Sequence, residues 1–359
     1  MKNSENVNLE DEGGGKPSAI KEGNQSAAFP YGDEKQNGFM SGNAGFPLGS
    51  HHNHEDEDDD DRPPIGGGVF KTSKGISVEI REVWADNLDA EMNEIRKMAE
   101  KHHYIAMDTE FPGVVARPIA DYNSPDYQYQ TLRCNVDLLK IIQLGLAFVQ
   151  ANGDPVPGCC CWQVNFRFSL REDMYAQESI DLLKGSGISF AAHERRGVDP
   201  HRFGELLTTS GLVLMDRVKW VSFHSGYDFG YLLKLLTAQA LPAEEGRFFE
   251  VLKLYFPNIF DIKYLVASVD GVHGGLQRLA EELDVERVGP MHQAGSDSLL
   301  TASTFFKVVQ ARFGGVEHME AEKFVGQLYG LGGNATVYKP KGPPPPPFAA
   351  AANGEKEEG

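Results

Sequence analysis

The sequence predicts an α/β fold, a mixed sheet flanked by helices in one domain. Two patterns carry that expectation. Strand-like runs come first along the chain, and helices alternate with strands after them, the order of a mixed sheet. The interval 76–338 also lacks internal repeats and is long enough to bury one large core.

The first clear helix is expected over 87–100, where Leu88, Met92, Ile95 and Ala99 recur at helical spacing behind Asp86 as a candidate cap. A short, half-apolar strand follows at 104–110 and stops at Pro112 and Gly113, which do not continue a ladder. Runs at 141–149 and 160–168 read as a hairpin around Asn152-Gly153. In the second run, Trp162, Val164, Phe166 and Phe168 alternate with polar residues. These first three strands are expected to be antiparallel. Helices then follow at 174–184 and 200–208, with a strand at 218–223. An amphipathic helix at 227–236 has Phe229, Leu232, Leu233 and Leu236 on one face. A strand at 259–262, a helix around Leu276 to Leu283 and a long helix at 296–311 complete the expected domain.

The flanks differ in composition. Residues 1–75 hold 14 acids against 7 bases and many glycines, and 339–359 contain a run of prolines. Both are expected to be disordered tails around a domain at 76–338. His51, His52 and His54 beside an acid run could capture metal, but a solvated tail is the expected reading.

The formal charge is −18. An acidic surface excludes broad electrostatic capture of polyanions and leaves a local or metal-assisted route to nucleic acid. No signal peptide or membrane span is expected, and the four cysteines, Cys134 and Cys159 to Cys161, match neither a zinc knuckle nor a disulfide framework. A soluble protein of a reducing compartment is expected.

Four acids stand out. Asp108 and Glu110 lie two apart near the end of a strand expected to be internal, where apolar side chains are usual. Asp228 and Asp297 each open a helix, and His292 precedes Asp297 by five residues. Alone, a helix-opening acid is most often a cap or a dipole partner. Together, carboxylates at ~4 Å would repel by about 4 kcal/mol per pair at an effective dielectric of 20. They must share protons, spread apart or bind cations. A shared-proton dyad would need two Asp-Thr-Gly turns, and Asp108-Thr109-Glu110 occurs once. A glycosidase pair has no use for the third and fourth acids. An all-oxygen site suits two Mg²⁺ or Mn²⁺ ions clamping a phosphodiester. His292 could then take a proton from attacking water, since imidazole titrates at about 6.5 when unperturbed. Phosphate-loop and zinc-protease motifs are missing.

The blocks Ile80-Arg81-Glu82-Val83-Trp84, 107–118, 126–145, 173–183, 222–232 and 292–300 closely resemble the Caf/Pop subunit of the Ccr-Not deadenylase complex. The resemblance covers about 76–333. It implies a ribonuclease-H-like DEDD exonuclease fold and 3′→5′ removal of poly(A) from messenger RNA with release of 5′-AMP. The family's four acids fall on Asp108, Glu110, Asp228 and Asp297, holding two divalent metals, and its general base falls on His292. Phe111 and His224 are candidate contacts to the terminal nucleotide. Implied partners are single-stranded RNA ending in poly(A), the Not scaffold subunit, a leucine-rich-repeat Ccr deadenylase and, in animals, antiproliferative adaptors. The implied location is cytoplasmic, including messenger-RNA decay foci, and also nuclear. Two other readings stay open: a bridging subunit with weak catalysis, and the same nuclease chemistry on DNA or structured RNA.

Overall fold

The computed structural model describes residues 66–333, apart from 74, 120–123, 125, 157 and 270–273. The expectations for the acidic histidine-containing stretch at 51–61 and the proline run at 343–347 lie outside the described residues.

Seven strands form one sheet in the order β1-β2-β5-β4-β3-β6-β7. They are β1 Gly68–Lys71, β2 Ser77–Val83, β3 Tyr104–Glu110, β4 Gln143–Val149, β5 Cys159–Asn165, β6 Lys219–Ser222 and β7 Ile259–Asp261. As expected, the neighbours in this set pair antiparallel, with β4 running opposite to both β3 and β5. β6 and β7 extend the sheet in parallel beyond β3, and β2 pairs in parallel with β5 on the other side. β3 is therefore internal, and each of its residues is buried.

The sheet begins earlier than the expected boundary at residue 76. β1 lies in the segment read as tail and pairs antiparallel with β2. A four-residue strand between glycines carries too little pattern to stand out. β2 alternates Val78 and Ile80, both buried, with the less buried Glu79 and Arg81.

Ten helices flank the sheet among the described residues. The first six are α1 Leu88–Lys101, α2 Tyr127–Leu138, α3 Gln177–Gly185, α4 Phe190–Arg196, α5 Pro200–Thr208 and α6 Gly226–Thr237. The remaining four are α7 Glu245–Tyr255, α8 Ile262–Val269, α9 Leu276–Glu282 and α10 Ala294–Phe313. In α1 the expected face, Leu88, Met92, Ile95 and Ala99, is buried. Asp86 does not cap this helix but pairs with Arg196 at 3.3 Å. Asn87 instead holds the entry, its Oδ1 accepting from the Trp84 N–H at 2.8 Å and its Nδ2 donating to the Glu82 carbonyl.

The placement of α10 decides the site. It packs along β3 and β4 and buries Ala302, Phe305, Val308 and Val309. Gly145, opposite Asp108 in the β3–β4 register, makes the contact close. A Cβ at Gly145 would stand 1.9 Å from the Ala294 carbonyl oxygen and 2.3 Å from Ser298 Oγ. Only a residue without Cβ lets the start of α10 lie on the Asp108 face of the sheet. No described helix is long and apolar enough to cross a membrane.

Candidate active site

β3 delivers Asp108, Thr109 and Glu110 to its C-terminal end, where Pro112 follows. Alternation along a strand puts Asp108 and Glu110 on one face. Both are buried, with exposures of 8% and 4%.

Asp228 arrives from the first turn of α6 and is docked on that strand end. Its Oδ1 accepts from the Thr109 N–H at 2.9 Å and from Thr109 Oγ1 at 2.7 Å. Thr109 is thus the tie between the strand acids and the helix acid.

Asp297 arrives from the first turn of α10. Arg287 Nη1 donates to its Oδ1 at 2.6 Å, and the backbone N–H of His292 donates to its Oδ2 at 3.1 Å. Arg287 is itself held by Gln277 Oε1 and also reaches Ser296 Oγ. Glu110, His292 and Asp297 each offer a ligand atom, and these atoms all lie within 4.8 Å of one another. Residues separated by up to 187 positions in the chain, Glu110 and Asp297, converge here.

Both histidines singled out by the sequence have left-handed backbones, with φ of 55° at His224 and 58° at His292. Each precedes a helix whose first turn carries an acid. A non-glycine residue in this region is uncommon and recurs at functional loops. The His224 N–H donates to Asp261 Oδ1 at 2.8 Å, and its ring meets Tyr329 edge-on at 5.1 Å. Phe111 is half-buried and stacks on Tyr227 at 5.1 Å with a 14° interplanar angle. Tyr227, Tyr329, His224 and Gln128 border a narrow cavity of about 20 Å³. A larger cavity, about 500 Å³, lies between α7 and residues 325–332 and holds none of the acids.

Sequence reading missed Arg287, Thr109 and Asp261. Asp261 closes β7, and its carboxylate accepts from the backbone N–H groups of His224, Ser225, Lys263 and Tyr329. Complete burial raises its pKa above the ordinary carboxylate range, while those N–H bonds oppose the rise. It shapes the loop that leads into Asp228. An Asp directly after two buried apolar strand residues was the available signal.

A mixed sheet in which an internal strand ends in paired acids, joined by acids from two helix starts, is the ribonuclease-H-like fold of DEDD exonucleases. The model of the CAF1 family ribonucleases matches residues 83–201 and 208–305. The chain belongs to that family. It is 52% identical over 267 residues to "Probable CCR4-associated factor 1 homolog 7" of Arabidopsis thaliana, covering 72% of this chain and 95% of that one. It is 51% identical over 267 residues to "Poly(A) ribonuclease pop2" of Schizosaccharomyces pombe, covering 73% and 79%. S. pombe Pop2p in its Mg²⁺- and Mn²⁺-bound form superposes with a TM-score of 0.68 at 51% identity, over 70% of this chain and 99% of that one. A yeast CAF1 co-crystallized with the NOT1 MIF4G domain gives 0.60 at 33% identity, over 70% and 96%.

Proposed function

We propose that this chain is a metal-dependent 3′→5′ exoribonuclease that removes poly(A) from RNA, releases 5′-AMP and serves as a catalytic subunit of a Ccr-Not-type complex. The observation that carries the reading is the approach of Glu110, His292 and Asp297 to within 4.8 Å. The relatives support it: one is a poly(A) ribonuclease, and its structure carries Mg²⁺ and Mn²⁺.

The residues fit hard divalent cations. Asp108, Glu110, Asp228 and Asp297 are buried carboxylates, the donors that Mg²⁺ and Mn²⁺ favour. Burial pushes the thiols of Cys159 and Cys160 up to about 12 and about 11, so neither offers a thiolate to a softer metal near neutral pH. The four acids would hold the ions, which when bound supply an acidified water and neutralise charge on the departing oxygen.

The side chains of the protein do the rest. Thr109 fixes the rotation of Asp228, and Arg287 fixes that of Asp297. His292, tied through its N–H to Asp297, takes the proton of the attacking water on its ring. The water oxygen bonds to phosphorus, the bond to the upstream 3′ oxygen breaks, and the freed nucleotide leaves as a 5′-monophosphate. Phe111 and His224 form the rim for the terminal nucleotide. Stacking there gives affinity for any base. Partners in this reading are a Not scaffold, a leucine-rich-repeat Ccr deadenylase and, where they exist, antiproliferative adaptors, in the cytoplasm and nucleus.

The test is 5′-labelled RNA ending in oligo(A), incubated with Mg²⁺ or Mn²⁺, beside EDTA and Asp108→Ala. The expected outcome is a shortening ladder abolished by both controls. Shortening that survives either rejects the metal mechanism. Equal degradation of single-stranded DNA rejects the RNA assignment. An inert wild type that still co-purifies with a MIF4G-type domain favours the bridging role.

A further inference from the structure

We propose that a buried lattice of amides, closed at its far end by Glu82, sets the register of the segment carrying His292 and Asp297, with Glu82 and Gln163 as positioning residues. The activity part of this inference rests on the function proposed above; the structural part does not.

A helix start leaves its first N–H groups without intrahelical acceptors. The N-cap residue of α10, Gln293, makes no side-chain cap bond. Its place is taken by two side chains of the sheet. Gln163 Oε1, from β5, accepts from the Gly295 N–H at 2.8 Å, and Gln143 Oε1, from β4, accepts from the Ala294 N–H at 3.3 Å. The amide nitrogens of both donate to Gln293 Oε1, at 2.9 Å from Gln163 and 3.2 Å from Gln143. Gln293 Nε2 in turn donates to the Ser186 carbonyl at 2.9 Å. The sheet therefore grips α10 between His292 and Asp297.

An amide can point either way, so something must choose the orientation that presents oxygen to α10. Glu82 makes the choice. As a carboxylate it only accepts. Its Oε1 takes Gln163 Nε2 at 3.1 Å, which turns Gln163 Oε1 toward Gly295. Its Oε2 takes Asn165 Nδ2, which leaves Asn165 Oδ1 to accept from Gln143 Nε2 at 2.8 Å and so turns Gln143 Oε1 toward Ala294. Gly66 seals the lattice from outside: a Cβ there would stand 2.3 Å from Gln163 Nε2 and 2.5 Å from Gln293 Oε1. Burial pushes the Glu82 carboxyl up to about 7, the cost of keeping an acceptor-only group in this place.

The experiment exchanges donor for acceptor. Glu82→Gln leaves one side-chain oxygen for two donors, Gln163 Nε2 and Asn165 Nδ2, and Asn165→Asp sets a second carboxylate against Glu82; the double variant restores the contact with the roles reversed, since the amide at position 82 donates to the carboxylate at position 165 and keeps its oxygen toward Gln163 Nε2, while the other carboxylate oxygen still accepts from Gln143 Nε2. Hydrogen exchange of the Ala294 and Gly295 amides is measured beside kcat and KM on oligo(A) RNA. Each single variant is expected to exchange ~tenfold faster there, the effect of about one hydrogen bond, and to lose kcat by ~tenfold with KM nearly unchanged. The double variant is expected to recover both to within ~threefold of wild type. Single variants that fail to fold while the double folds also support the lattice. Wild-type exchange and kcat in the singles, a double whose defects add, or a double that unfolds like the singles overturns it. Exchange that behaves as expected in a protein inert toward RNA leaves the lattice standing and removes the proposed function instead.

Discussion

Arg287 donates to Asp297 Oδ1 from a position where only 15% of its side chain is exposed, so the pair is largely desolvated. Removing one member of such a pair strands the other charge. Arg287→Met is expected to lower kcat by ~tenfold or more, and Arg287→Lys to restore only part, because a point charge cannot hold Asp297, Ser296 and Gln277 together. Wild-type kcat in Arg287→Met would remove Arg287 from the site. Glu82 makes a second prediction, in stability. Its carboxyl is raised from 4.5 to about 7, so the folded state holds the proton more tightly than the unfolded chain does. That contribution is complete below about 4.5 and lost as pH rises through about 7, a change of about 3 kcal/mol. Buried His193 has the opposite slope: its pKa is lowered to about 4 by burial, so its contribution is present above about 6.5 and lost as pH falls toward 4. Comparing urea unfolding of wild type and Glu82→Gln between pH 4.5 and 8 isolates Glu82, and a difference that does not change with pH contradicts its burial as a proton-binding acid. At this scale the acids were legible because carboxylates are out of place at the end of an internal strand. Arg287 and Asp261 were not, because their partners are chosen by the packing of loops onto β7 and α10, which leaves no periodic trace.

The elements that carried a repeating pattern were legible, and their bounds moved by a few residues. The hairpin, α1 and α6 each had apolar residues at a regular interval. α2 did not. Its buried residues include Thr131 and Asn135, whose side chains bond backbone groups, with Asn135 Oδ1 accepting from the Val115 and Ala116 N–H groups. A polar residue used as internal glue erases the apolar stripe that marks a helix. β1 was too short to read, yet the residues before it cover the amide lattice. The close approach of β4 and α10 makes the sharpest prediction here. Gly145→Ala places a methyl 1.9 Å from a backbone oxygen that cannot rotate away. It is expected to destabilise by about 3 kcal/mol or more and to depress activity by lifting Asp297 from Glu110. Gly185→Ala, where nothing lies within 4 Å of the added methyl, is the matched control. Equal unfolding midpoints for the two variants would deny that the helix rests on the strand at this point.

At the scale of the whole molecule, the proposed function requires a chain of formal charge −18 to hold a polyanion. Composition alone made the charge legible, but not its remedy, which depends on where the buried acids meet. Bringing carboxylates together inside an already acidic molecule raises the free energy of the folded state, by about 4 kcal/mol for each pair at ~4 Å and an effective dielectric of 20. Divalent cations reverse the sign of that term, and because the cradle exists only when β3, α6 and α10 are assembled, they bind the folded chain and not the unfolded one. Linkage then fixes the size of the effect: at a hundredfold excess over Kd the gain is about 2.7 kcal/mol, a rise in Tm of roughly 5 °C for a protein of this size. Mg²⁺ or Mn²⁺ is therefore expected to raise Tm with a logarithmic dependence on concentration, EDTA to reverse the rise, and Asp228→Asn to remove most of it. Matched ionic strength in NaCl separates site binding from screening of the surface charge. If NaCl raised Tm as much as the divalent salt did, or if Asp228→Asn kept the full response, the stabilising ions would be acting on the diffuse acidity of the surface, and the convergence at the end of β3 would have another purpose.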